Sequence, residues 1–250
     1  MNPGLDYPIP LVDPAIVDKW DKEWMVYLSS EAKWPHLIQA SRLKIVEDVS
    51  RFDRREMFYA VLTQGPDGSP NAPLRIWAKG SEIVGCRIAE LGCGAGFLGK
   101  QLGLIADSYL GIDVSQLALA IARGNSGPVC TYLHLGDKEF IREEFRAYDT
   151  VVGREFFIHQ NFTNAKWVLN LAKMLLRPGG TVCADFYLPN REIPQGIIHP
   201  AKSELDPTFA SCAFVFSDED IGELSALTEL AIISIDDILS EQRKLVVFKS

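Results

Sequence analysis

The sequence holds no apolar run approaching the roughly 20 residues needed to span a bilayer. Its opening, MNPGLDYPIPLVDP, also lacks the positive end and apolar stretch of a secretory leader, so neither a membrane partner nor export is expected. Cysteine pairing is missing as well. Cys86, Cys93, Cys130, Cys183 and Cys212 are odd in number and form no CxxC pair and no zinc-ligand spacing. That removes a disulfide framework and a metal site from the expected architecture and fits a reduced, cytoplasmic compartment. Positive charge is in deficit: 25 Lys and Arg against 33 Asp and Glu leave a formal charge of -8, with a pI near 5.1. Attraction to phosphate backbones needs a surplus of Lys and Arg on one face, so nucleic acid is a poor partner. The local group Arg51, Arg54 and Arg55 reads as a solvated helix face. Internal repeats and low-complexity tracts are absent too.

What is present is enough apolar material for a large core, 47% of 250 residues, in one domain or one with an appendage. Ile16, Trp20, Trp24 and Tyr27 fall three or four apart and predict a helix over 14–29 with those side chains on one face. Two further helices are expected within 35–62, broken near 50–53. The turn formers of QGPDGSPNAP, residues 64–73, then mark a boundary. Residues 1–73 are therefore read as a helical extension or cap, and 74–250 as the main domain. From residue 86 the texture becomes short apolar runs, RIAEL, SYLGID, VCTYLHL, YDTVVG, TVCADFY, LAIISI and KLVVF. Helical patterns separate them at 96–105, 115–123, 138–145 and 163–176, the last ended by RPGG. Such alternation predicts an α/β fold with a parallel sheet. Only DDILSEQR parts the final two strands, too short for a crossover helix, so that pair is predicted antiparallel.

A turn with Gly92, Gly94 and Gly96 directly after a buried strand lets backbone approach a ligand closely. Glu90 falls near the carboxyl end of that strand, where open α/β sheets bind ligands, and its charge suits a cation. Asp113 ends the second strand, 21 positions after Gly92, a place from which a carboxylate accepts bonds from both ribose hydroxyls. Asp137 ends the third strand and is either an acceptor for an adenine amino group or an N-cap. Residues 94–99 also match the GxGxxG dinucleotide pattern. Glu90 would repel a pyrophosphate, however, and some 85 residues precede the motif instead of its opening the domain.

The series ELGCGAG, GIDVS, GD and LLRPGGTV, in that order over 87–185, resembles the class I S-adenosylmethionine (SAM) dependent methyltransferases of small-molecule type. The resemblance covers roughly the last two thirds of the chain. It implies a seven-stranded, mostly parallel sheet with an antiparallel last strand and helices on both faces. It also implies SAM as cofactor, with S-adenosylhomocysteine as product. Carried over by position, Gly92, Gly94 and Gly96 would line the methionyl part, with Glu90 in reach of its amino group. Asp113 would hold the ribose and Val114 would pack on the adenine. Asp137 and the Lys138 amide would read the adenine edge, and the Gly153 carbonyl would meet the methionyl amine. Val114 could equally be ordinary core, and Gly153 could simply ease a turn.

After the fourth strand, GREFFIHQNF occupies a place where this family often faces the transferred methyl. The Asn-Pro-Pro-Tyr type motif of amino-methylating DNA enzymes is absent, and Arg154, Glu155 and His159 are the polar candidates for catalysis. Methyl transfer from a sulfonium needs mainly alignment, with a base only where the acceptor carries a proton. His159 is the natural base and Glu155 the second. Arg154 either clamps a substrate carboxylate or pairs with a surface acid. The Trp20, Trp24, Tyr27 face either caps the site or is core. Residues 188–216 are long enough to form a lid or substrate loop, with Tyr187 and His199 as further acceptor contacts. SDED, residues 217–220, is read as a structural N-cap. The function expected is methyl transfer from SAM to a small molecule. A protein acceptor and a non-catalytic SAM-binding scaffold are the alternatives, and the acceptor atom and oligomeric state are left open.

Overall fold

Side-chain alternation along β1 (Arg87–Leu91) creates the two faces of the molecule. Ile88 packs with Leu98 and Leu102 of α2 (Phe97–Leu102) and with Leu119 and Ala122 of α3 (Gln116–Asn125). Ala89 and Leu91 point the other way, into a cluster with Ala165, Val168 and Leu169 of α5 (Phe162–Leu175). A strand covered on both sides cannot carry a polar face, which is why this one reads as a nearly continuous apolar run.

The computed structural model describes residues 14–29, 86–103, 106–188, 198–205, 213–238 and 242–250. The predicted helices of 35–62, the Arg51, Arg54 and Arg55 group, the 64–73 boundary, Cys212 and much of 188–216 lie outside the described residues, as does the Tyr27 side chain. The remaining elements are α1 (Pro14–Ser29), β2 (Ser108–Asp113), β3 (Cys130–His134), α4 (Lys138–Glu143), β4 (Tyr148–Gly153) and a 3-10 turn (Phe157–His159). They continue with β5 (Leu176–Tyr187), β6 (Ile198–Pro200), β7 (Ala213–Val215), α6 (Asp218–Thr228), β8 (Ala231–Ile238) and β9 (Arg243–Lys249).

Strands run β3-β2-β1-β4-β5 in parallel, β9 then adds antiparallel to β5, and β8 pairs antiparallel with β9. This is the seven-stranded sheet with a reversed last strand that the sequence predicts, with helices on both faces. The order reverses between β1 and β4, and the crevice at the carboxyl ends of those strands is where such sheets hold ligands. Two strands were not predicted. β6 and β7 arise within 188–216, pair over three residues, and, among the described residues, join the sheet through Tyr187 and Val215, beyond the end of β4. The described sheet therefore has nine strands, because short runs such as IHP and AFV carry too little pattern to signal a strand. Ser217 is the predicted N-cap of α6, and it closes a capping box with Asp220. Among the described residues, no helix is long and apolar enough to cross a membrane.

Candidate active site

At the end of β1 the chain turns through Gly92, Gly94 and Gly96, at φ +70°, +51° and +74°. The amides of Gly92 and Cys93 donate to the Ile112 carbonyl, at 2.8 and 3.2 Å, and tie the turn to β2. Asp113 completes the cradle. One carboxylate oxygen accepts from the Gly94 amide at 2.8 Å and the other from the Ser115 amide at 2.8 Å. Burial pushes the Asp113 carboxyl up, while the Ser115, Gly94 and Val114 amides and the nearby His134 oppose the shift. Gly94 tolerates no side chain, since a Cβ there would lie 2.5 Å from the Trp24 ring and its φ favours glycine.

Glu90 is buried on the α2 and α3 side of β1 and accepts a short hydrogen bond from the Tyr109 hydroxyl. Burial pushes its carboxyl up to about 8, against the Tyr109 bond and the charge of Arg154 and with help from Asp113. The native state thus holds the Glu90 proton more tightly than the unfolded chain between about pH 4.5 and 8. Stability should fall as pH rises through that window and level off above it. Urea unfolding at pH 5 and 9 checks this, with a loss on the order of a few kcal/mol expected in the wild type and a much flatter response in Glu90→Gln. Equal declines in the two proteins would refute it.

The adenine side is assembled from the ends of β2 and β3. Val114 is half-buried against the core, and its carbonyl faces His134 Nε2 at 2.9 Å. The Gly136 amide donates to His134 Nδ1 at 3.0 Å. With Nδ1 accepting from Gly136, Nε2 donates to the Val114 carbonyl, and the ring pins the two loops together. His134 escaped the sequence reading because a histidine inside LHLGD has no signal of its own. Asp137 is exposed at the start of α4 and makes no capping bond. Its carboxylate accepts from the His134 amide at 3.3 Å. The Lys138 amide donates to the Gly136 carbonyl at 2.9 Å, so it is engaged within its own turn.

The loop after β4 departs most from the sequence picture. Gly153 is buried, and a Cβ there would lie 2.5 Å from the Phe157 ring. Glu155 stands at φ +54°, its amide donating to Asp185 at 2.7 Å and its carboxylate 3.0 Å from Arg243. Arg243 also binds Asp185 at 2.5 Å and lies over the Tyr187 ring. Burial pushes Asp185 up and the Arg243 charge pulls it down. Glu155 is therefore engaged in an ion triad with Asp185 and Arg243. Asp185 and Arg243 were missed in the sequence, where the only hint was an acid closing the apolar run TVCAD. Arg154 is half-buried, its Nε is buried without a hydrogen-bond partner, and its charge acts on Glu90. Phe156 packs against Gly92.

α1 lies across this site. Asp21 accepts from the Ser115 hydroxyl at 2.5 Å and the Leu117 amide at 3.3 Å, at the start of α3. Trp24 rests on Gly94, and Trp20 meets the His159 ring edge-on with centroids 5.0 Å apart. The helix thus brings together the glycine turn and His159, two features far apart in sequence.

Residues 89–182 match the family model described as a methyltransferase domain. The solved SAM-dependent methyltransferase from Mesorhizobium loti superposes with a TM-score of 0.54 at 16% identity, over 70% of this chain and 96% of that one. The fold is that of the class I methyltransferases. Magnesium protoporphyrin IX methyltransferase from Synechocystis PCC 6803, solved with S-adenosylhomocysteine bound, shares this methyltransferase fold with a TM-score of 0.53 at 14% identity, over 92% of this chain and 99% of that one. In sequence, the ubiquinone biosynthesis O-methyltransferase of Aromatoleum aromaticum is 30% identical over 115 residues, 44% of this chain and 48% of that protein. The mitochondrial counterpart from Rattus norvegicus is 29% identical over 109 residues, 41% of this chain and 31% of its own length. The match spans about half or less of these curated relatives. Methyltransferase domains of this class use SAM, and the donor set fits it. Asp113 bridges the turn, and Glu90 lies beside it as a buried carboxyl that a bound cation would help to ionise, a pair that suits a cationic nucleoside better than a dinucleotide pyrophosphate.

Proposed function

We propose that this chain transfers a methyl group from SAM to a hydroxyl of a small molecule, beneath a cap formed by α1. The observation that carries the reading is the Asp113 carboxylate bridging the Gly94 and Ser115 amides at the sheet's switch point, with α1 laid over the same turn. When bound, SAM supplies an electrophilic methyl on its sulfonium. The protein's contribution is to hold and align. Asp113 has lone pairs left for the ribose hydroxyls, Val114 offers an apolar face to the adenine, and exposed Asp137 an acceptor for the adenine amino group. Gly92, Gly94 and Gly96 would admit the methionyl tail, and Glu90 and the Gly153 carbonyl would receive its amine. His159, whose ring meets Trp20 edge-on, would take the proton of an acceptor hydroxyl. The naming of the sequence relatives as O-methyltransferases supports oxygen as acceptor, and the cover of α1 supports a small one. Cys93, Cys130 and Cys183 are free thiols, which supports a cytoplasmic setting.

The test is transfer of label from radioactive SAM to a panel of small phenols, alcohols and carboxylic acids, set beside a protein extract. Label in a small hydroxylated acceptor, reduced by about 100-fold or more in His159→Ala, is expected. Label confined to protein, or none despite tight SAM binding, would contradict the proposal. The cap has its own consequence. Asp21→Ala removes two bonds to a carboxylate and should speed S-adenosylhomocysteine dissociation about tenfold in stopped flow. An unchanged rate would mean that α1 does not retain the cofactor.

A further inference from the structure

We infer that Arg154 anchors the α-carboxylate of the cofactor's amino-acid tail, and so reads the cofactor and not the acceptor. The inference rests on the SAM reading above and deepens it. An arginine cannot shed its charge, and a buried donor without an acceptor is costly, so a ligand is expected to complete it. Among the described residues Arg154 makes no ion pair and its buried Nε has no partner. Two other arginines near the site have partners: Arg243 binds two carboxylates, and Arg123 donates to the Tyr132 carbonyl at 3.0 Å.

The position of Arg154 selects the ligand group. Glu90 lies opposite Val152 in the β1 and β4 register, and Arg154 follows Val152 by two residues. Glu90 and Arg154 therefore stand at the neighbouring carboxyl ends of two strands, on either side of the switch point, and their charges act on each other without forming a bridge. An acid and a base set apart in this way match an amino-acid zwitterion, ammonium toward Glu90 and carboxylate toward Arg154. The acceptor side is built farther along the loop, where His159 meets Trp20. Phe156, packed on Gly92, comes between the two in sequence.

Calorimetry on the full chain tests this with three ligands: S-adenosylhomocysteine, its decarboxylated analogue, and 5′-methylthioadenosine, which lacks the amino-acid group. The wild type should bind S-adenosylhomocysteine at least about tenfold more tightly than the decarboxylated analogue, the scale of a charge-assisted pair. Arg154→Gln should lose that preference while holding 5′-methylthioadenosine within about twofold, which also reports an intact adenosine cradle, and Arg154→Lys should recover part of it. A wild type indifferent to the carboxylate overturns the inference without need of any variant. So does Arg154→Gln with undiminished S-adenosylhomocysteine affinity, including the case where only the acceptor KM rises. Failure of the wild type to bind any of the three would instead overturn the SAM reading itself.

Discussion

Asp113→Ala is expected to weaken S-adenosylhomocysteine binding by about 100-fold and to destabilise the fold by about 2–4 kcal/mol. Two effects combine. The Gly94 and Ser115 amides each lose a carboxylate partner at 2.8 Å, and the strut between the glycine turn and α3 is gone. The ribose hydroxyls lose their acceptor as well. Asp113→Asn should fall between the two, because its amide can accept from one backbone N–H while its NH2 faces the other. Calorimetry with S-adenosylhomocysteine and urea unfolding measure the two effects. Affinity within about threefold of wild type in Asp113→Ala would place the ribose elsewhere.

Arg243→Met should cost about 3–5 kcal/mol, since Glu155 and Asp185 would be left buried against each other without a counter-charge. The sign of its pH dependence follows from the chemistry. Asp185 already sits above its ordinary range through burial, and loss of Arg243 would raise it further, so the variant takes up protons on folding. Its deficit relative to wild type should therefore shrink as pH falls toward 5 and be largest at neutral and alkaline pH. Turnover should also drop more than cofactor affinity, because the triad holds the loop that carries His159. A deficit under about 1 kcal/mol at pH 7, or one that grows on acidification, would contradict this assignment.

Much of the domain was legible because its signals are local. Strands buried on both faces read as continuous apolar runs, and the glycine turn, Asp113 and the SDED cap each stand where short-range geometry requires them. The unread parts depend on distant partners. Glu155 looked like a base in isolation, yet its amide and carboxylate meet Asp185 and Arg243, 30 and 88 positions away. The Trp20 and Trp24 spacing announces a helix face but not what it covers, because core and cap demand the same periodicity. Only the fold shows Trp24 on Gly94 and Trp20 on His159. β6 and β7 failed to register for a different reason: three-residue strands are shorter than one cycle of any usable pattern.

The measurement closest to the central claim is calorimetric titration of the full chain with S-adenosylhomocysteine and, separately, with NAD. Saturable binding of S-adenosylhomocysteine that is lost in Asp113→Ala, with no heat from NAD, is the expected result. Heat from NAD and none from S-adenosylhomocysteine or SAM would contradict it, and with it the reading of this glycine turn as a methyl-donor site.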